Sequence, residues 1–196
     1  MENPVQVKPF ETPLCEIAFK YQTDKCPQVN HPYTPFYYHL LKDKKIKTVL
    51  ELGIGGGHYL DKLRHHGFHP TPGGSLRMWR DFLGAKVYGI DYDPACMFED
   101  RDIKTFQAHA TRKEELQNVL DQIPEVDLFI DDGSHAIHHQ IKTAQILLPL
   151  FKKDVIYVIE DVGNPAAVLK GLEEYDAYIP PMPPKKGDCI IVVKNK

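Results

Sequence analysis

Two short acidic strings concentrate the reactive groups of this sequence: Ile130-Asp131-Asp132-Gly133-Ser134-His135 and Ile159-Glu160-Asp161. Each closes an apolar run. If the runs are neighbouring parallel strands, four carboxylates project toward one edge. Like charges that close repel strongly at reduced dielectric unless a cation sits among them. A hard divalent ion bound by oxygens and water meets that need, magnesium first, with manganese or calcium acceptable. His135 lies near the start of a helical stretch, where it can take a proton as general base from a metal-bound hydroxyl. The bland alternative is that the carboxylates cap the following helices and diverge, leaving His135 bonded to one of them. Zinc at Asp132, His135 and His139 is weaker, because it leaves Glu160 and Asp161 unexplained and His138 and His139 are expected to point away.

A second cluster precedes these. Val49-Leu50-Glu51-Leu52 is an apolar run with one acid, and it breaks into Gly53-Ile54-Gly55-Gly56-Gly57. Glycines at the carboxyl end of a buried strand let a ligand approach the backbone, and open α/β sheets bind their ligands at that edge. The spacing is not the dinucleotide G-x-G-x-x-G. Asp91 ends the next run, Val87-Tyr88-Gly89-Ile90, where a carboxylate can accept both ribose hydroxyls of an adenosine. Asp93 suits the competing role of helix cap before Pro94.

Positioning these groups requires a sheet. Strands are expected at Lys47–Leu52, Lys86–Ile90, Ile103–Gln107, Val126–Ile130, Val155–Ile159 and Cys189–Lys194. A short one near Asp176–Ile179 would pair with the last across Pro180-Pro181-Met182-Pro183-Pro184. Helices are expected at Ser75–Leu83, Thr111–Gln122, His135–Leu150 and Pro165–Tyr175, from apolar periodicity and from Pro165 in a first turn. This alternation predicts an α/β fold: a mostly parallel central sheet, helices on both faces and a C-terminal antiparallel hairpin. Residues 1–196 are read as one domain, 1–45 capping the ligand edge and 46–196 forming the core. His58 to Gly74 reads as a loop inserted in the first crossover, delaying its helix to Ser75. Its histidines, His58, His65, His66 and His69, are expected to be solvated in preference to clipping zinc. Met78 and Trp79 are expected in the core. Arg77 has two readings, a cofactor carboxylate partner or a surface salt bridge. Tyr33, Tyr37 and Tyr38 either close over a ligand or pack on the sheet.

The bulk properties exclude some classes. A chain of 196 residues with net charge −3 and dispersed basic residues argues against nucleic acid. No apolar run approaches the ~20 residues that span a bilayer, and Met1 to Phe10 does not resemble a secretory signal. Cys15, Cys26, Cys96 and Cys189 form no C-x-x-C pair, and reduced thiols in a cytoplasmic protein are the expectation.

Taken together, Thr23-Asp24-Lys25 with Tyr33, Leu50-Glu51-Leu52-Gly53, Gly73-Gly74-Ser75-Leu76-Arg77-Met78-Trp79, Gly89-Ile90-Asp91, Asp131-Asp132-Gly133-Ser134-His135 and Glu160-Asp161 resemble one branch of the class I S-adenosylmethionine-dependent methyltransferases. That branch is the metal-dependent macrolide sugar O-methyltransferases. The resemblance implies a Rossmann-like methyltransferase fold, with Asp132, Glu160 and Asp161 holding magnesium and His135 as the base. It implies that Glu51, Gly53, Ser75 and Asp91 line the S-adenosylmethionine pocket. Gly55, Asp131 and Tyr33 complete the expected cofactor-binding set.

The expected activity is methylation of a hydroxyl on a sugar or small polyol-containing natural product. Rivals are a nicotinamide-dependent oxidoreductase and a non-catalytic binding protein on the same fold. One departure is His109-Ala110-Thr111, where such enzymes place a Gly-Asp pair near the adenine; recognition there passes to a backbone amide or to His109. A counterpart of the large amino-terminal region that in this family helps form the assembly and the substrate pocket is not expected from this sequence, so the acceptor is not carried over. A homo-oligomer is compatible with the sequence.

Overall fold

Thr48–Leu52 (β1) is buried at every position, as its continuous aliphatic character requires, and it takes the centre of the sheet. It pairs in parallel with β2 (Lys86–Asp91) on one side and, in chain numbering, β5 (Leu128–Asp131) on the other. Outside β2 lie β4 (Ile103–Gln107), parallel, and the two-residue β3 (Glu99–Asp100), antiparallel. Outside β5 come β6 (Ile156–Ile159), parallel, then β8 (Ile191–Lys194) and β7 (Asp176–Tyr178), both antiparallel. The order is β3-β4-β2-β1-β5-β6-β8-β7, which reverses direction between β1 and β5. The computed structural model describes residues 9–182 and 188–194, so Pro183 and Pro184 of the proline tract and Met1 to Lys8 lie outside the described residues.

Register decides where the chemistry emerges. Leu52 aligns with Ile90 and Asp131, and Asp131 with Ile159. Gly53, Asp91, Asp132 and Glu160 therefore leave one edge at nearly one level.

Helices cover both faces. Pro13–Lys20 (α1), Tyr33–Leu41 (α2) and Gly74–Leu83 (α4) pack Leu14, Tyr37, Leu76 and Trp79 against Val49, Val87 and Leu128. Lys113–Leu120 (α5), Ile137–Leu147 (α6) and Pro165–Gly171 (α7) pack Leu116, Leu147 and Val168 against Leu50, Phe129 and Tyr157. Thr12 caps α1, its hydroxyl accepting from the Cys15 amide, with Pro13 in the first turn.

Two expectations change. A helix, α3 (Gly57–His65), starts directly at the glycine turn, so the crossover holds two helices and not one delayed one. Among its described side chains Leu60 and Leu63 are buried. The segment before β1 contributes α1 and α2 to the core of one face, beyond capping an edge. His65, His66 and His69 are exposed, and the four cysteines are free. Among the described residues no helix is long and apolar enough to cross a membrane.

Candidate functional site

A cavity of about 620 Å³ opens over the carboxyl edge of β1, β2, β4, β5 and β6. It sits at the reversal of strand order, where open α/β sheets bind ligands. Gly53, Gly55, Ser75, Asp91, Asp132, His135 and Asp161 line it. Gly53 adopts φ +91°, and a Cβ there would run into the Asp132 carbonyl, so only glycine lets the two strand ends approach.

Asp91 is held from below: its Oδ2 accepts from the Ile54 amide and its Oδ1 from the Asp93 amide, both at 3.0 Å. Asp93 takes the capping role, accepting from the Ala95 amide at 2.9 Å. Tyr92 and His109 line the cavity beside it as a near-parallel ring pair, 6.4 Å between centroids and 22° between planes. The His109 amide donates to Glu115 Oε2 at 2.7 Å. The His109 amide is thus already engaged, while its ring borders the cavity.

On the acidic side, Asp132, His135 and Asp161 present ligand atoms within 4.8 Å of one another, the group of this kind among the described residues. His135 Nε2 lies 3.7 Å from Asp161 Oδ2, with its side chain 52% exposed. It precedes α6, whose N-cap is Ala136. Asp161 adopts a left-handed backbone, φ +51°, which aspartate tolerates better than most side chains. The Tyr33 hydroxyl donates to its Oδ1.

Four expected residues, Glu51, Glu160, Asp131 and Tyr33, sit elsewhere than the cavity wall. Glu51 is fully buried and accepts from Trp79 Nε1 at 2.5 Å, because strand alternation puts it with Val49 on the α4 side. Burial raises the Glu51 pKa, while Lys25 and Ser75, the latter lining the pocket, act to lower it. Glu160 is buried, its Oε2 accepting from Lys25 Nζ and its Oε1 from the Tyr37 hydroxyl, each at 2.5 Å. Asp131 is 2% exposed. Burial raises its pKa to about 7, with the Gly133 amide opposing and Glu160 adding to the rise. Tyr33 stacks on His31 at 4.9 Å and reaches the site only through its hydroxyl. Tyr33 and Tyr37 take the packing reading, their rings in the core and their hydroxyls donating to Asp161 and Glu160. His139 turns toward the cavity, contrary to expectation, its Nδ1 2.9 Å from Ser134 Oγ. Arg77 takes the surface reading, bonding Asp100 and the Pro72 carbonyl.

Residues the motif reading left without a role complete the site. Lys25 lies among Glu51, Asp132 and Glu160. Burial raises the pKa of all three carboxylates while Lys25 opposes it. One ammonium thus faces three carboxylates. His31 lines the cavity, 2.9 Å from Asp188 Oδ1 and 3.7 Å from Asp161 Oδ1. Burial opposes its protonation, but Asp24, Asp161 and Asp188 hold its pKa above the usual value. Two imidazoles thus flank Asp161.

No family model matches the chain. Over 153 residues, 76% of the chain, it is 33% identical to the 8-demethyl-8-(2-methoxy-alpha-L-rhamnosyl)-tetracenomycin-C 3'-O-methyltransferase of Streptomyces olivaceus, covering 36% of that enzyme. The mycinamicin VI 2''-O-methyltransferase of Micromonospora griseorubida is 32% identical over 151 residues, 76% of this chain and 36% of that one. A solved structure, the MycE methyltransferase from the mycinamycin biosynthetic pathway in complex with Mg, SAH and mycinamycin VI, aligns with TM-score 0.71 and 26% identity over 93% of this chain and 54% of that one. Its homologues are sugar O-methyltransferases, and its fold is the class I methyltransferase fold. An O-methyltransferase from Bacillus cereus in complex with SAH, at 14% identity and TM-score 0.58, shows the fold alone over 98% of this chain. The chain spans about a third of the length of the curated relatives it matches.

Proposed function

We propose that this chain forms the methyl-transfer site of an S-adenosylmethionine- and magnesium-dependent O-methyltransferase acting on a sugar hydroxyl. The observation that carries it is convergence: the glycine turn, Asp91 and the Asp132–His135–Asp161 group share one cavity. The nicotinamide reading would leave the acidic half of that cavity unused.

The donor set suits a hard dication. Asp132 and Asp161 keep 20% of their side chains exposed at the cavity. Glu160 retains lone pairs on both engaged oxygens and completes the proposed metal-binding set. When bound, the ion lowers the pKa of an acceptor hydroxyl. The rest belongs to the chain. Gly53 and Gly55 admit the donor's methionine portion to the backbone, and Asp91 accepts the ribose hydroxyls. His135 removes the acceptor proton as the oxygen attacks the methyl carbon. The carbon–sulfur bond breaks, giving a methyl ether, S-adenosylhomocysteine and a proton on His135. Because the sulfonium is already activated, alignment supplies much of the acceleration. Exposure lets His135 pass its proton to water.

Calorimetry with S-adenosylhomocysteine and NADH, paired with labelled methyl transfer to a panel of rhamnosides, tests the reading. Binding of the first ligand and not the second is expected. His135→Ala should lower turnover at least ~100-fold, in the range of general-base catalysis, while S-adenosylhomocysteine affinity stays within about twofold. Loss of affinity with normal turnover of the bound fraction would refute the base role.

A further inference from the structure

Lys25 is 1% exposed, on the connection between α1 and α2, more than a hundred residues from two of its partners. Its Nζ lies 2.5 Å from Asp132 Oδ2, 2.5 Å from Glu160 Oε2 and 3.5 Å from Glu51 Oε1. An ammonium has three donors and no acceptor, and here it faces three carboxylates. Its backbone is pinned as well: the Lys25 carbonyl accepts from the Tyr33 and Thr34 amides at 3.1 and 3.0 Å, at the start of α2. Tyr37 and Trp79 supply second donors to Glu160 and Glu51.

The acidic cluster therefore has two layers. The inner one, Glu51, Glu160 and one oxygen of Asp132, closes around Lys25. The outer one, the rest of Asp132 with Asp161 and His135, faces the cavity. Without Lys25, the departure of a dication held by Asp132, Glu160 and Asp161 would leave both layers short of counter-charge. Buried carboxylates in that state repel and carry a large desolvation cost.

We propose that Lys25 is the resident counter-ion of the acidic cluster, a positioning residue that keeps Asp132 and Glu160 in place when no metal is bound. The proposal rests on the metal reading only for its link to ion binding.

Thermal melts of the full chain, Lys25→Met, Glu160→Gln and the double variant, in chelator and again in excess manganese, test it. In chelator each single variant should melt lower, Lys25→Met by roughly 10 °C, from the usual cost of breaking a buried ion pair in a chain this long. The double variant should melt above Lys25→Met, because removing Glu160 then removes an uncompensated charge. Manganese should raise the melt of Lys25→Met more than that of the native chain. Should Lys25→Met fail to fold, recovery of folding in the double variant carries the same information. Losses that simply add in the double variant, or a Lys25→Met melt equal to the native one, overturn the proposal. If manganese shifts no melt while the two substitutions remain coupled, the metal reading fails and the counter-ion role stands.

Discussion

Asp91 illustrates how a single side chain is prepared for a ligand. Each carboxylate oxygen already holds one backbone amide, which fixes the group before anything binds, and the carboxylate still borders the cavity. Replacing it by asparagine converts one acceptor into a donor. Asp91→Asn should weaken S-adenosylhomocysteine about 10-fold or more in calorimetry, the scale of one charge-assisted bond. Equal affinity would remove Asp91 from the ribose site. Asp132, His135 and Asp161 were legible from their strings because strand ends and helix starts are local features. Lys25 and His31 were not, since ion pairs spanning more than a hundred residues leave no local pattern. The motif places Glu51 in the pocket, but the two-residue alternation of β1 turns it inward.

At the scale of elements, Asp127 ties strand entries together. Its Oδ2 accepts from the Lys47 and Thr48 amides at 2.8 and 2.9 Å, and its Oδ1 from Lys153 Nζ at 2.6 Å, joining β1 to β5 and to the segment before β6. Burial pushes its pKa up, but Lys153 and the two amides outweigh that and hold it below the ordinary 3.8. A carboxyl depressed in the folded state adds stability above its ordinary pKa, and that stability is lost as pH falls through the folded one. Asp127→Asn should therefore cost about 2 kcal/mol in urea melts at neutral pH, from hydrogen bonds to a charged group. The cost should shrink below about pH 4, and a pH-independent difference would contradict the assignment. The core strands were readable because aliphatic runs bounded by turns are strong signals. The α3 helix was not, for it begins within the glycine turn itself, where Gly55, Gly56 and Gly57 read as a loop.

For the whole molecule, the sheet is shared by two cores, and the single tryptophan sits in one of them. Trp79 is fully buried, bonded to Glu51 and edge-on to Tyr37 at 4.8 Å. It reports the layer that α1, α2 and α4 build and the acidic cluster beneath it. Tryptophan emission and far-ultraviolet circular dichroism should lose their native signals in one coincident thermal transition. Separate midpoints would mean that this layer melts apart from the α5–α7 layer.

The sequence by itself determined the strand and helix alternation, the glycine turn and the acids that end strands, because each is written within a few consecutive residues. Tertiary structure alone decided which acids meet the cavity and which meet a lysine, and that His31 and His135 flank one carboxylate. The physical reason is that charge compensation in a buried cluster depends on distance in space, and segments a hundred residues apart acquire that distance only when the sheet closes and α2 docks upon it.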